Sequence, residues 1–388
     1  MRLVVLGPGH PFRGGVARTT TELVRSLKAR GHEINFLTPQ RQYPRWLYPG
    51  RSDLDSDACA RLDCAAAVLD PLNPLSWFES RRRALALDGD VWIIPYWTWA
   101  WAGLWRYLLR GERPPAVAVV HNPTDHDAGF RQRLAARLVL GRCQALFTHA
   151  RVLEEGLAAF HPGVPTASYP LPPPTLAPLP SADEARTALG VPADRRVALF
   201  LGLIRPYKGV DLLLDSLARL PADSNWFLVV AGEPWGNLGD RLSHQVRRLG
   251  ISDRVRLELG WVPETEMLRL LAAADLVVLP YRSGSQSAVA PLALGAGVPV
   301  LSTAVGGLPE VVRHGVDGWL VAPGSAAELA RALEELDRPR LAELAEGARR
   351  GRSRLTWNGY AEALEGLVER VVQLNSEFGI RNTECPPG

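Results

Sequence analysis

The stretch RVALFLGLIRPYKGVDLLLDSL, residues 196–217, constrains the fold more than any other part of the chain. Val197 to Leu201 is a short apolar run, the pattern of a buried parallel strand. Gly202 ends it, and a helical pattern begins near Gly209 with Leu212, Leu213, Leu214 and Leu217. Arg205 and Lys208 lie on the loop between them, at the carboxyl end of a strand, where open α/β sheets bind ligands. A helix amino end follows at once, so an anion placed there meets backbone N–H groups and two side-chain cations. The plain alternative is a surface loop with two solvated basic residues.

The same alternation recurs along the chain. Met1 to Leu6 reads as a strand, followed by a loop with Gly7, Gly9, Gly14 and Gly15, then a helix through Val16, Leu23, Val24 and Leu27. Ile34 to Leu37 completes a βαβ unit whose glycine spacing is not that of a dinucleotide fingerprint. Further strands are expected at 91–94, 117–120 and 144–148. Downstream, strands are expected at 226–231, 276–279, 299–302 and 319–321, alternating with helices. This pattern predicts doubly wound sheets, and a length of 388 residues predicts two domains. SYPLPPPTLAPLPSADEA, residues 168–185, is proline-rich and reads as an extended linker. The expected division is therefore a first Rossmann-like domain over 1–167, the linker over 168–185, a second such domain over 186–354, and a helix with its tail over 355–388.

Hydrophobic content of 47%, charged content of 22% and a net charge of +3 fit a globular protein without the dense basic block that nucleic acid would favour. Cys59, Cys64, Cys143 and Cys385 form no CxxC pair, and the start MRLVVLGPGH goes straight into a strand, so a reducing cytoplasm is expected. No His/Cys cluster offers a divalent site of usual spacing, and no metal or cofactor is expected. VWIIPYWTWAWAGLWRYLL, residues 91–109, is long enough to span a membrane, but Pro95, Arg106 and five tryptophans favour a strand, a loop and a short helix. Those indoles, with the basic runs Arg81 to Arg83 and Arg131 to Arg142, leave a peripheral membrane contact open beside the core-covering alternative. His121 directly follows the strand at 117–120, with His126 and Asp127 on the same loop, so a ligand site there stands beside a purely structural role. Residues 40–56, with Arg41, Arg45 and Arg51, read as a loop that covers the sheet or touches an acceptor.

Four landmarks taken together resemble the GT-B glycosyltransferases, close to family 4, which use nucleotide-sugars and retain anomeric configuration. They are GLIRPYKGVD, GWVPETEM, ADLVVLPYRSGSQS with LGAGVPVLSTAVGGLPEVV, and the closing LTWNGYAE. The resemblance spans nearly the whole chain and implies a C-terminal helix crossing back to the first domain. It implies that Arg205 and Lys208 hold the donor diphosphate, where preorganised cations would stabilise the charge of the leaving group. By the same resemblance His121 sits near the reacting sugar, Gly14 and Gly15 form a loop that backbone and ligand can approach, and the backbone at Val262 faces the base. Ser287 and Ala288 would lie at a helix amino end facing the distal phosphate. Glu310 is either a ligand contact or a helix N-terminal carboxylate.

One departure stands out. The family usually carries two glutamates eight positions apart, and the matching positions here are Gly284 and Leu292. In their place stands SGSQSAV, similar to a bacterial subgroup with a Ser-Gln-Ser stretch. There Gln286 would hydrogen-bond sugar hydroxyls as a neutral partner. The resulting expectation is a cytoplasmic, metal-independent glycosyltransferase moving a sugar to a hydroxyl acceptor in cell-surface polysaccharide or glycolipid synthesis, with a lipid-linked acceptor at the inner membrane face as one option. A nucleotide-sugar epimerase and a non-catalytic nucleotide-sugar binder are the alternatives.

Overall fold

The computed structural model describes residues 1–42, 54, 62–122, 130–192 and 194–378. The chain divides into two units, one formed by Met1–Pro170 with Thr356–Gly388 and the other by Leu171–Leu355. In the first, the order is β1 (Arg2–Leu6), α1 (Gly15–Ala29), β2 (Glu33–Pro39), β3 (Ala65–Leu69), α2 (Trp77–Ala86), β4 (Val91–Tyr96), α3 (Ala102–Leu108), β5 (Ala116–Val120), α4 (Phe130–Leu140), β6 (Ala145–Thr148), α5 (Arg151–Phe160) and β7 (Thr166–Ser168). These strands form a parallel sheet in the order β3-β2-β1-β4-β5-β6-β7. The residues of β4 and β5 are buried throughout, which is why they read as unbroken apolar runs rather than alternating ones.

The second unit begins with α6 (Ala182–Ala188) and β8 (Arg196–Leu201). It continues through α7 (Val210–Arg219), β9 (Trp226–Gly232), α8 (Leu238–Arg248), β10 (Val255–Leu259), α9 (Glu264–Ala273), β11 (Leu276–Leu279) and α10 (Val289–Ala296). β12 (Val300–Thr303), α11 (Leu308–Val311), β13 (Gly318–Val321), α12 (Ala326–Glu335) and α13 (Arg338–Arg350) complete it. Its strands are parallel in the order β10-β9-β8-β11-β12-β13. The order reverses between β8 and β11, so the loops leaving those two strands diverge and open a crevice at their carboxyl ends.

The closing helix α14 (Trp357–Phe378) belongs to the first unit. Tyr360, Ala361, Leu364, Leu367, Val368 and Val371 form its buried stripe, at the three- and four-residue spacing of one helix face. It is anchored on α1: Ser26 Oγ donates to the Trp357 carbonyl at 2.9 Å, and Arg30 donates to Glu365 at 2.7 Å and to Asn358 at 2.8 Å.

The structure decides one alternative left open above and changes one expectation. The segment 91–109 does form a strand and a short helix, but its indoles do not face outward as an interfacial belt. Trp92, Trp101 and Trp105 are fully buried, Trp97 nearly so, and Trp101 stacks obliquely on Trp97 and Trp105 at 4.8 and 5.3 Å. Trp99 alone is half exposed, so burying aromatic area in the core has won over the interface. The proline-rich stretch is also more structured than its composition implies. Leu171 is buried, Leu176 and Leu179 pack on the second unit's core, and the chain divides at Pro170. Ser181 then opens α6 with a capping box, its Oγ accepting from the Glu184 N–H while Glu184 accepts from the Ser181 N–H.

Candidate active site

The crevice of the second unit is built from the loops after β8, β9 and β11. After β8 the chain makes one 3-10 turn over Pro206–Lys208 and enters α7 through Gly209 at φ 68°. That angle suits glycine, and a Cβ there would collide with the Pro280 carbonyl just past β11. The Arg282 N–H donates to the Tyr207 carbonyl at 2.7 Å, so the β8 and β11 loops are joined side by side. On the other flank, the Ile204 N–H donates to the Glu233 carbonyl at 2.9 Å, and the Trp235 N–H to the Ile204 carbonyl at 3.0 Å. These bonds hold GEPWG, the turn after β9, against the same loop.

Arg205 and Lys208 project from this frame. The Arg205 guanidinium lies 3.7 Å from the centroid of the Trp235 ring, and the Lys208 ammonium lies 5.4 Å from that of Tyr281. Lys208 forms no ion pair among the described residues. Asp211, the nearest carboxylate in sequence, is held instead by Arg282 through two contacts of 2.6 and 2.7 Å. Burial pushes the Lys208 ammonium below its ordinary range; Tyr207 opposes that shift and Arg205 adds to it. A cation held next to another cation in a half-buried crevice gains most from a bound anion.

The β11 loop supplies neutral groups. Ser287 is buried; its Oγ accepts from the Val289 N–H at 3.2 Å and lies 3.3 Å from the Tyr281 hydroxyl. The Gly307 N–H donates to the Ser285 carbonyl at 2.9 Å, tying this loop to the turn before α11. Gln286 carries a buried Oε1 without a hydrogen-bond partner among the described residues, an acceptor open to a ligand hydroxyl. Ala288 is exposed at the amino end of α10. Arg205, Lys208, Gln286, Ser287 and Ala288 therefore share the carboxyl edge at the β8–β11 reversal. Val262 follows the edge strand β10 and packs partly on the core, farther along that edge. Glu310 lies in the first turn of α11, where a carboxylate complements the helix dipole, and its position leaves the ligand-contact role open as well. Gly284 lies in the β11 loop, whereas Leu292 is buried inside α10, where side-chain burial favours leucine over a carboxylate.

In the first unit, Gly14 at φ 105° is the N-cap of α1 and is exposed with Gly15, leaving the helix amino end without a side-chain cap or an acid in its first turn. His121 follows β5 and is buried, its N–H donating to the Tyr96 carbonyl at 2.8 Å. The β5–β6 register pairs Val120 with Thr148, so the next residues, His121 and His149, lie side by side with Nδ1 and Nε2 3.1 Å apart. Burial pushes His121 down to about 3 and His149 well below its usual value, so both rings are neutral near pH 7. His126, Asp127, Arg45 and Arg51 lie outside the described residues.

Sequence reasoning passed over four of these groups. Glu233 follows β9 with its Oε2 buried and without a hydrogen-bond partner among the described residues, and Trp235 backs Arg205. The signal for both was a tryptophan in a glycine-bounded turn at a strand's carboxyl end. His149 and Tyr360 gave a weaker one, a second strand ending in histidine and a tyrosine on the apolar face of α14.

With this geometry in place, the comparisons agree on a class. Residues 13–167 match the model of Glycosyltransferase Family 4, and residues 181–350 match that of Glycosyl transferases group 1. A D-inositol 3-phosphate glycosyltransferase of Thermobispora bispora is 35% identical, over 95% of this chain and 94% of that protein. The sucrose-phosphate synthase of Thermosynechococcus elongatus superposes with a TM-score of 0.76 at 18% identity, covering 96% of this chain and 100% of that one. HepE of Anabaena in complex with UDP-glucose gives 0.70 at 18% identity, covering 97% and 100%. The chain belongs to the GT-B glycosyltransferases of this group and is a glycosyltransferase enzyme. The epimerase and non-catalytic readings give way to it. Among the described residues no helix is long and apolar enough to cross a membrane.

Proposed function

We propose that the enzyme transfers a sugar from a nucleotide-sugar, with UDP as the carrier, to a hydroxyl acceptor, with retention and without a divalent ion at the diphosphate. The observation that carries this reading is the Arg205–Lys208 pair at the β8–β11 reversal, where Lys208 has no ion-pair partner among the described residues. As the bond from the anomeric carbon to the diphosphate breaks, negative charge gathers on the leaving oxygen, and fixed cations there lower the barrier. The UDP-glucose bound to HepE supports the choice of carrier. Gln286 and Ser287 supply hydrogen bonds where the family's carboxylates are absent, and the open amino end of α1 at Gly14 and Gly15 offers backbone donors to phosphate or sugar.

For the acceptor, a lipid-bearing hydroxyl in cell-surface glycoconjugate synthesis at the inner membrane face is supported by apolar side chains left outside. Leu75, Phe78, Phe130, Leu134 and Leu138 are exposed on and beside α2 and α4, interleaved with Arg131, Arg133 and Arg137. The name of the Thermobispora relative favours a second reading, a soluble phosphorylated polyol.

A thermal-shift series with UDP, GDP, ADP and their sugar conjugates tests the donor site. The wild-type midpoint should rise with UDP and UDP-sugars, and Lys208→Ala should lose the rise. No rise with any nucleotide would sink the donor assignment. Turnover of the stabilising donor with acceptors in anionic vesicles, but not with inositol phosphate, supports the lipid reading; the reverse result supports the polyol.

A further inference from the structure

His121 is not isolated. Its Nδ1 faces His149 Nε2 at 3.1 Å, and His149 Nδ1 faces the Tyr360 hydroxyl at 3.3 Å, so a three-member chain runs from α14 to the end of β5. Tyr360 is fully buried among Phe147, Trp357 and Tyr169, and His149 is the only hydrogen-bond partner of its hydroxyl among the described residues. At the other end, His121 Nε2 is buried and has no hydrogen-bond partner among the described residues.

Each neutral imidazole has one N–H and one bare nitrogen, so the chain has only two proton orders. In the first, Tyr360 O–H donates to His149 Nδ1, His149 Nε2–H donates to His121 Nδ1, and His121 is left with a proton on Nε2. In the second every bond is reversed, and the Tyr360 hydroxyl proton is left buried in an aromatic cluster with no acceptor among the described residues. Both orders leave His121 Nε2 open, but only the second strands a further buried donor, which is the costly outcome. We propose that Tyr360, through His149, is a positioning residue that fixes His121 as the Nε2–H tautomer, so that His121 meets its ligand as a hydrogen-bond donor and not as a base. The role toward the sugar rests on the glycosyl transfer proposed above and on the place near the reacting sugar that the family resemblance implies for His121, where a fixed Nε2–H reads a sugar or phosphate oxygen. The carboxylate that often orients a histidine by charge is replaced by a phenol on a helix that returns from the far end of the sequence.

The test starts with the full chain labelled with 15N-histidine and no ligand, read by long-range 1H–15N correlation of the ring nitrogens. The wild type should show His121 and His149 both protonated at Nε2. Tyr360→Phe, which keeps the ring and removes the donor, should release a population of His121 with the proton on Nδ1. His149→Gln, whose amide can donate or accept, should do the same. A wild-type His121 protonated at Nδ1, or an Nε2–H tautomer that persists in both variants, overturns the proposal. Calorimetry with UDP and with UDP-glucose separates this result from the donor reading. Tyr360→Phe should weaken UDP-glucose about 5- to 10-fold, the worth of one neutral hydrogen bond, and leave UDP unchanged. An unchanged UDP-glucose affinity overturns the role toward the sugar. If wild type binds neither ligand while the tautomers are as expected, the donor reading and the sugar role fail and the tautomer assignment stands.

Discussion

At the end of β8 two cations share one short turn, and Lys208 has no carboxylate bound to it among the described residues; at the ends of β5 and β6 two histidines lie in contact and both are uncharged. Both places sit where parallel strands end, yet they handle burial in opposite ways. The β8 loop keeps its charge, backing Arg205 with Trp235 and leaving Lys208 next to a like charge. The histidine pair gives up its charge and keeps direction, because each bond in the chain depends on which nitrogen holds a proton. In the proposed donor role the first arrangement is one that a bound anion would relieve, whereas the second is satisfied among the described residues except at one atom. Charge supplies strength over distance, whereas a neutral relay supplies orientation at a single oxygen.

The largest effect that would break this contrast lies at Lys208. Removing a preorganised cation from a leaving phosphate should lower turnover about 10²- to 10³-fold in Lys208→Ala, measured with saturating donor. A fall below about tenfold would show that the charge at this loop does not serve the departing diphosphate.

A smaller effect should appear in stability against pH, and its sign follows from the histidines. The unfolded chain takes up protons below about pH 6.5, whereas native His121 holds out to about 3, so its folded value is depressed. The stability present above pH 6.5 is therefore lost as pH falls, by up to about 1.4 kcal/mol per pH unit for each histidine that stays neutral. Urea unfolding at a series of pH values from about 7.5 to 5 should give a shallower slope for His149→Gln than for wild type, by about one proton. Equal slopes would mean that His149 takes up protons in the native state.

The smallest effect concerns the indole beneath Arg205. A cation–π contact at a partly exposed site contributes about 0.5–1 kcal/mol, so Trp235→Ala should weaken nucleotide binding roughly two- to fivefold by calorimetry. A loss as large as that of Lys208→Ala would show that Trp235 touches the ligand itself rather than steadying the guanidinium.

Much of the second unit was legible because its signals are local. Strand β8, the loop carrying Arg205 and Lys208, and helix α7 occupy consecutive residues, and a glycine where two backbones meet leaves its mark in the sequence at Gly209. The loss of both family glutamates could likewise be read from Gly284 and Leu292 directly. The tryptophans of 91–109 left an interfacial and a core-covering reading open, because composition counts indoles without telling which way they point. Four of the five are enclosed by the first unit's own core, leaving arginines and apolar side chains of α2 and α4, Phe78 and Phe130 among them, outside.

By itself the sequence determined two runs of alternating strand and helix, a basic loop at a strand end and a helix at the close, because periodicity and turn chemistry act between near neighbours. Only the tertiary structure decided that Trp235 would lie under Arg205, that the β5–β6 register would bring His121 beside His149, and that Tyr360 would reach His149 across 211 positions of chain. Those groups meet through sheet order and helix return, and such distances are set by packing the whole core rather than by any neighbour in the sequence.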